Sequence, residues 1–167
     1  IFFFILTTRM AAPVVFGIPI FMLANTLRIL DTYLIMIVVY CLMNVGFTIW
    51  VLKGFFEGIP REYDEIAFLQ GTSKIKAFLT IDLPLAKSGI AVAAIFTFIF
   101  TWNDAFYATL LGGKNITTFA AILPSYFVRY VPQWTHLTAA GTLYIIPSVI
   151  FAILMFKLIQ HGLKLKL

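Results

Sequence analysis

The sequence predicts an all-α fold: a polytopic transmembrane helix bundle of about four spans, with a polar helix–Gly–helix segment between the second and third. Only 11% of the 167 residues are charged, whereas soluble domains carry about 25%, and the mean hydropathy is +1.00. Apolar runs of helix length recur along the chain, as expected of membrane spans. Charge is concentrated in segment 53–87, which holds five of the twelve Lys and Arg residues and five of the seven Asp and Glu residues.

The first apolar span covers Ile1 to about Leu27, which is ~40 Å of helix at ~1.5 Å per residue. This length exceeds a hydrocarbon core of ~30 Å, so the span is expected to tilt or to kink at Pro13 or Pro19. The other three spans are predicted over residues 33–52, 86–111 and 137–159.

The distribution of Lys and Arg predicts the orientation. Segment 53–87 and the C-terminal tail together hold eight, whereas segments 28–32 and 112–136 hold three. The positive-inside rule therefore predicts that segment 53–87 and the C-terminus are cytoplasmic. Because the basic residues flank apolar spans, the net charge of +5 gives little support to nucleic acid binding. Cys41 is the single cysteine, so the chain can form no internal disulfide, and the Cys and His spacing predicts no zinc site.

Segment 57–84 predicts a polar elbow of two short helices. The first is expected over residues 61–70, where acidic residues in the first turn favour the positive end of the helix dipole. Gly71 is expected to end this helix at a positive φ. The apolar positions on its predicted face are Tyr63, Ile66 and Ala67.

The second elbow helix is expected from Lys74 to about Ile81. Thr72 and Ser73 can cap its N-terminus, and Pro84 is expected to break it before the third span. An amphipathic elbow of this kind suits a groove in a partner protein or the membrane surface equally well.

The spacing within the elbow resembles the EAA signature of the inner-membrane permease subunits of ABC importers. Glu65-Ile66-Ala67 is followed by three residues, Gly71, nine residues and Ile81-Asp82-Leu83-Pro84, and Ile66 is the one departure from the signature. The resemblance implies a coupling loop that seats in a cleft of a separate ATP-hydrolysing subunit and passes its closure to the transmembrane helices. The residues implied in this coupling are Glu65, Ile66, Ala67, Gly71, Ile81, Leu83 and Pro84.

The resemblance extends over the chain to the carbohydrate-uptake branch of these permeases. Leu30-Asp31-Thr32-Tyr33 is similar to that branch, and Thr101-Trp102-Asn103-Asp104 stands where it often has W-N-E. The resemblance implies uptake of sugars or sugar derivatives across the cell (inner) membrane. The implied partners are ABC ATPase subunits, a second homologous permease subunit, an extracytoplasmic solute-binding protein and the lipid bilayer.

Complete members of this family have about six spans. Residues 1–167 are therefore expected to be a single transmembrane domain, the C-terminal part of a longer permease, with the coupling loop at 57–84 inside it. The last residues, 161–167, depart from the usual ending of the family, so a C-terminal contact with the ATPase has no support in the sequence.

Four polar residues in or near the spans are candidates for lining a solute path: Arg9, Asn44, Asn103 and Asp104. Polar groups within the bilayer usually turn towards the bundle interior, where they line a path or bond to neighbouring helices. Both roles remain open for these residues. Asp104 is the strongest candidate because its side chain can ionise.

The sequence predicts no catalytic residue, metal site or cofactor in this chain. Gly112-Gly113-Lys114-Asn115 lacks the G-x-x-x-x-G-K-[ST] pattern of a P-loop, so ATP with Mg²⁺ is expected on the partner ATPase. The alternatives are an ion-coupled secondary transporter and a membrane-embedded enzyme that uses Arg9 or Asp104. The first needs paired carboxylates or broken repeats at mid-membrane, and the second needs clustered acid and base groups.

Overall fold

The computed structural model describes residues 13–126 and 134–164, and these are helical without any strand. The predicted all-α fold is therefore confirmed over this part of the chain. A π-helical turn, Phe78–Asp82, and a 3-10 turn, Leu123–Tyr126, accompany the α-helices. The α-helices are α1 Pro13–Thr26, α2 Tyr33–Glu57, α3 Glu62–Leu69, α4 Lys74–Ala77, α5 Leu83–Leu85, α6 Lys87–Trp102, α7 Phe106–Leu111, α8 Phe119–Ile122 and α9 Trp134–Lys164.

Two of these helices, α2 and α9, are long and apolar enough to cross a membrane by themselves. The elbow segment Lys74–Leu85 and α6 form a third candidate span if they are counted together, with a bend of 68° between them. Helix α1 is apolar but has 14 residues. The predicted first span can be followed only from Pro13, because residues 1–12 lie outside the described residues.

The third span departs from its predicted extent. The sequence predicts apolar helix up to Leu111, but α6 ends at Trp102 and a new helix, α7, begins at Phe106. The side chain of Asp104 explains the break, because it takes the place of helix carbonyls as the acceptor at the start of the next helix. The Asn103 side chain adds a second bond to a carbonyl that the Asn103 N–H already contacts. Asn103 donates from Nδ2 to the Ile99 carbonyl at 2.7 Å, and Asp104 accepts N–H groups of α7.

The chain divides into two compact units, one made of Ile1–Gly46 with Thr97–Ile150 and the other of Phe47–Phe96 with Phe151–Leu167. Within the first unit, Tyr107 of α7 donates from its hydroxyl to the Pro13 carbonyl at 3.0 Å, which ties α7 to the start of α1. The buried core of this unit consists of Ala24, Ile35, Met36, Val39, Tyr107, Ala108 and Leu111.

Within the first unit, α6 and α9 are joined by a reciprocal pair of side chains. Trp102 Nε1 donates to the Tyr144 carbonyl at 3.2 Å, and the Tyr144 hydroxyl donates to the Trp102 carbonyl at 2.7 Å. The two rings also stack, with their centroids 5.5 Å apart. These contacts fix where the two helices meet, although no residue of α9 between Trp134 and Lys157 is buried in this chain.

Candidate functional sites: the elbow and the Asp31 corner

The elbow, residues 57–84, contains the predicted helix–Gly–helix turn. Gly71 has φ +78°, the left-handed conformation that glycine adopts without steric cost. Its N–H donates to the Phe68 carbonyl at 2.9 Å, and the Thr72 N–H donates to the Ala67 carbonyl at 3.0 Å. These two bonds form a Schellman motif, which satisfies the last carbonyls of α3.

The second half of the elbow differs from the prediction at Pro84. Ser73 occupies the N-cap position of α4 with an extended backbone, but its side chain makes no cap hydrogen bond. Helical structure then continues through the π-helical turn and includes Pro84 in α5. Pro84 is tolerated in the first turn of α5, where a missing N–H costs little. The prediction that Pro84 breaks the helix was wrong, and the bend falls at Ala86 instead.

The elbow buries small residues and exposes large ones. Ala67 and Ala77 are 5% and 1% exposed, whereas Leu69 and Ile75 are 88% and 75% exposed. Of the predicted apolar face, only Ala67 is buried, because helix α3 packs through this one small side chain. The implied coupling residues Glu65, Ile66, Gly71 and Pro84 are exposed, and Ile81 and Leu83 are half-buried.

The base of the elbow is held by close aromatic packing within the second unit. The rings of Phe56 and Phe78 stack with centroids 5.9 Å apart. Gly89 of α6 is buried, and a Cβ atom there would clash with Cγ of Phe55. Small residues let transmembrane helices approach closely, and at Gly89 the absence of a side chain leaves the space that Phe55 fills.

The charge of one elbow carboxylate, Asp64, acts on another, Asp82. Oδ1 of Asp64 is buried without a hydrogen-bond partner. The pKa of Asp82 is raised by its partial burial and, to a smaller extent, by the negative charge of Asp64. The Lys53–Glu57 ion pair at 2.8 Å is exposed and spans one turn of α2, a geometry that contributes little to stability.

A second ordered feature, the Asp31 corner, consists of residues 28–32 and 111–116. Both oxygens of the Asp31 carboxylate accept backbone N–H groups: Oδ2 accepts from Asn115 at 2.9 Å and Oδ1 from Ile116 at 2.8 Å. The Asp31 N–H donates to the Leu111 carbonyl at 2.9 Å. These backbone donors, Asn115 first among them, lower the pKa of Asp31 although partial burial opposes the shift.

The candidate solute-path residues do not form one site. Arg9 lies outside the described residues. Asn44 is 5% exposed, and its Nδ2 donates to the Tyr40 carbonyl and to Oγ1 of Thr101 at 2.9 and 3.1 Å. Asn44 thus connects α2 to α6, which is the helix-packing role. Asn103 is exposed, and its Oδ1 is 3.1 Å from the Tyr144 hydroxyl.

Asp104 acts mainly as a helix cap. Its Oδ2 accepts the backbone N–H groups of Tyr107 and Ala108 at 3.0 and 3.3 Å, and the hydroxyl of Tyr40 at 3.1 Å. A nearby cleft of about 270 Å³ has mostly aromatic walls; its lining residues are Tyr40, Phe98, Thr101, Trp102, Thr118 and Phe119. The walls of this cleft thus offer few polar groups to a solute.

Sequence reasoning found the elbow and missed the Asp31 corner. In the sequence, Asp31 stands out only within a motif of the family, and Gly112-Gly113 only as a pattern that is not a P-loop. The usable signal was the pairing of a loop aspartate with a glycine-rich turn, since exposed backbone N–H groups attract carboxylates.

Comparisons with known proteins identify the family. Residues 1–165 match the family described as "Binding-protein-dependent transport system inner membrane component". The chain belongs to this family. With its apolar helices, it is therefore a multi-pass membrane protein and a component of a transport system, consistent with the elbow signature.

Several relatives in this family are ABC transporter permeases. The chain is 30% identical over 161 residues to the probable ABC transporter permease protein y4oR of Sinorhizobium fredii, covering 96% of this chain and 58% of the relative. It is 30% identical over 148 residues to the trehalose transport system permease protein SugB of Mycobacterium tuberculosis, covering 87% and 54%. The diacetylchitobiose uptake system permease protein DasC of Streptomyces coelicolor is 28% identical over 156 residues, covering 93% and 56%. The chain thus spans little more than half the length of these relatives.

Proposed function

We propose that this chain is part of the permease subunit of an ATP-driven importer of sugars or sugar derivatives. The elbow is the observation that carries the proposal. Its signature residues fold into a helix that ends at Gly71 with a Schellman motif, and Glu65 and Ile66 face outward on that helix. The names of the trehalose and diacetylchitobiose permeases support the sugar class.

The elbow is proposed to dock into an ABC ATPase subunit. Ile66, Leu69 and Ile75 are each more than half exposed, so the elbow presents large apolar side chains that its own unit leaves uncovered. Such side chains are typical anchors in a protein–protein interface. Closure of two ATPases around ATP would then move the elbow, and its packing at Phe55 and Gly89 would pass the motion to α2 and α6.

The other proposed partners are a second homologous permease subunit and an extracytoplasmic solute-binding protein. Helix α9 supports the first, because it is apolar and has no buried residue between Trp134 and Lys157. An apolar helix with no buried residue can face lipid or pack against another transmembrane helix bundle. The solute-binding protein is supported by the description of the family, whose members act with a binding protein.

Docking to the ATPase is tested by a matched pair of variants in the assembled importer. Ile66→Glu places a charge on the elbow, whereas Ile122→Glu places one on α8, where the isoleucine is also exposed. We expect the first variant to lose the ATPase during purification and the second to retain it. Loss from both variants, or retention by both, would refute the elbow as the docking element.

Import is tested with the assembled importer in vesicles. Uptake of labelled trehalose and of labelled diacetylchitobiose is measured with and without ATP on the side of the membrane that carries the ATPase. ATP-dependent uptake of either sugar, with its solute-binding protein present, is the expected result. Uptake driven by an ion gradient without ATP would support the secondary-transporter alternative instead.

The elbow and the C-terminus are proposed to be cytoplasmic. Because the native Cys41 is exposed in this chain, it is first replaced by Ala, and a cysteine is then introduced by Ser73→Cys. A membrane-impermeant maleimide is expected to label this variant from the cytoplasmic side alone. The matched control is Ser125→Cys, which should be labelled from the opposite side. Labelling of Ser73→Cys from outside would invert the orientation.

A further inference from the structure

The Asp31 corner joins two segments that are 84 residues apart in sequence. Both carboxylate oxygens are used, each by a different backbone N–H group of the turn at residues 112–116. Hydrogen bonds to an ionised acceptor are stronger than those between neutral groups. Among residues 13–126 and 134–157, Asp31 takes part in no ion pair, so its charge is met by backbone groups alone.

The turn at residues 112–116 leaves space for this carboxylate. A Cβ atom on Gly113 would lie 2.8 Å from Oδ2 of Asp31, and a Cβ atom on Gly112 would lie 2.6 Å from the Ile116 carbonyl oxygen. Cβ atoms of real side chains essentially never lie this close to a non-bonded heavy atom. The turn therefore folds tightly over Asp31 because both positions lack a side chain, and the Gly113 N–H closes it onto the Ile116 carbonyl at 3.1 Å.

The corner lies at the end of a firmly connected group of helices within the first unit. Tyr107 of α7 bonds to Pro13 of α1 at 3.0 Å, and a Cβ atom on Gly17 would lie 2.8 Å from the ring of Phe106. Tyr40 of α2 bonds to Asp104, the residue that caps α7, at 3.1 Å. Helices α1 and α7 and the first half of α2 thus share both a buried core and polar contacts.

We propose that Asp31 is a positioning residue for transport. This proposal rests on the function proposed above. Its carboxylate locks the 112–116 turn to the connection between α1 and α2. As a result α1, the first half of α2, α7 and the turn move as one body when the importer switches. Packed groups of this kind have discrete arrangements and transmit displacement, whereas a loose loop absorbs it.

The contact is specific for a carboxylate. Asn at position 31 would keep the shape of the side chain but would replace one acceptor oxygen with an NH₂ group. That group would face a backbone N–H, so one of the two bonds would be lost and two donors would oppose each other. Gly113→Ala attacks the same contact from the other side, because its Cβ atom would push the turn away from Oδ2.

The test uses the assembled importer in vesicles and three variants: Asp31→Asn, Gly113→Ala and the double variant. Asn115→Ala is the matched control, since it lies in the same turn but keeps the backbone N–H that bonds to Asp31. Hydrogen exchange is measured at the amides of residues 115 and 116. We expect exchange to speed up by about tenfold or more in the two single variants, because hydrogen bonds to charged groups are lost, and to remain as in the parent in the control.

The second readout is the number of ATP molecules hydrolysed per sugar imported. A merely structural defect lowers hydrolysis and import together, whereas loss of positioning should raise the ratio severalfold in both single variants and no further in the double variant. Faster exchange with an unchanged ratio of ATP hydrolysed to sugar imported would overturn the proposal. So would a double variant in which the increases of this ratio from the two single variants add up, or a control that behaves like Asp31→Asn. If the parent protein shows no ATP-driven import at all, the proposed function fails, and this role of Asp31 fails with it.

Discussion

The elbow and the Asp31 corner end a helix with the same backbone motif but use different residues for it. In the elbow, Gly71 takes the left-handed position after α3. In the corner, Arg28 takes the equivalent position after α1, with φ +56°. Its N–H donates to the Asn25 carbonyl at 3.1 Å, and the Ile29 N–H donates to the Ala24 carbonyl at 3.0 Å.

The difference lies in what surrounds each motif. A Cβ atom on Gly71 would have no neighbour within 4 Å among the described residues, so a side chain at this position would find no packing contact to support the turn. Neighbouring residues support the turn at Arg28: Ile29 packs against the buried core, and Asp31 forms its hydrogen bonds to the 112–116 turn. Surrounding contacts can hold a residue in an unfavourable conformation, whereas an unsupported turn depends on glycine. The elbow turn thus depends on its glycine, and its exposed surface is where the proposed partner would bind, whereas the corner is held by contacts of its own chain.

The largest effect is expected from Gly71→Leu. A left-handed conformation costs about 1–2 kcal/mol for such a residue, and the side chain would project from a surface proposed to fit an ATPase cleft. We expect the variant to insert into the membrane normally but to lose sugar uptake, measured in vesicles. Gly71→Asn is the matched control, because Asn tolerates positive φ, and it should retain substantial uptake. Full activity of Gly71→Leu would show that the elbow turn need not keep its shape.

Gly89→Ala tests how the elbow is anchored. The new Cβ atom would meet Cγ and Cβ of Phe55, and overpacking of this kind typically costs 1–3 kcal/mol. We expect a lower thermal stability of the purified protein in detergent. Phe55→Ala in the same chain should remove the clash and restore part of the loss. If the double variant loses as much thermal stability as the two single variants added together, the close approach at Gly89 is not what limits the packing.

The elbow could be predicted from the sequence because its signals are local. Gly71 and the acidic first turn of α3 each act within a few residues, and the structure has the helix, the positive φ and the second helix in the predicted order. Pro84 was misjudged because its effect depends on its place in a helix. The π-helical turn before it puts Pro84 in the first turn of α5, where its missing N–H is not needed.

The corner and the end of the third span depend on distant residues, which a single sequence does not pair. Asp31 and the turn at residues 112–116 are brought together by the packing of α1, α2 and α7. Asp104 looked like a path residue because an ionisable group near a span end is costly to bury. Its bonds to α7 and to Tyr40 show that it caps α7, and apolar periodicity alone could not predict this role.

The pH dependence of the corner should follow from Asp31. Because its pKa is lowered in the folded protein, the stabilisation is present above the pKa of the unfolded chain and is lost as the pH falls through the lower, folded value. We expect the amides of residues 115 and 116 to stay protected from hydrogen exchange at neutral and mildly acidic pH, after correction for intrinsic rates. Protection should then fall in acid below the ordinary range of an aspartate. Asp31→Asn should show weak protection without this transition, and loss of protection in the parent near neutral pH would contradict the assignment.

The smallest effect is expected from Arg28→Gly, which gives the corner the residue that the elbow already has. Removing the left-handed strain favours the folded state, whereas the extra freedom of glycine in the unfolded chain opposes it. Since surrounding contacts hold the corner in place, we expect a net gain of no more than about 1 kcal/mol, measured as a small rise in thermal stability. Arg28→Gln keeps the strain and removes the charge, so it should leave stability nearly unchanged. A clear loss of stability in both variants would mean that the Arg28 guanidinium itself supports the corner, and the contrast with the elbow would then rest on Asp31 alone.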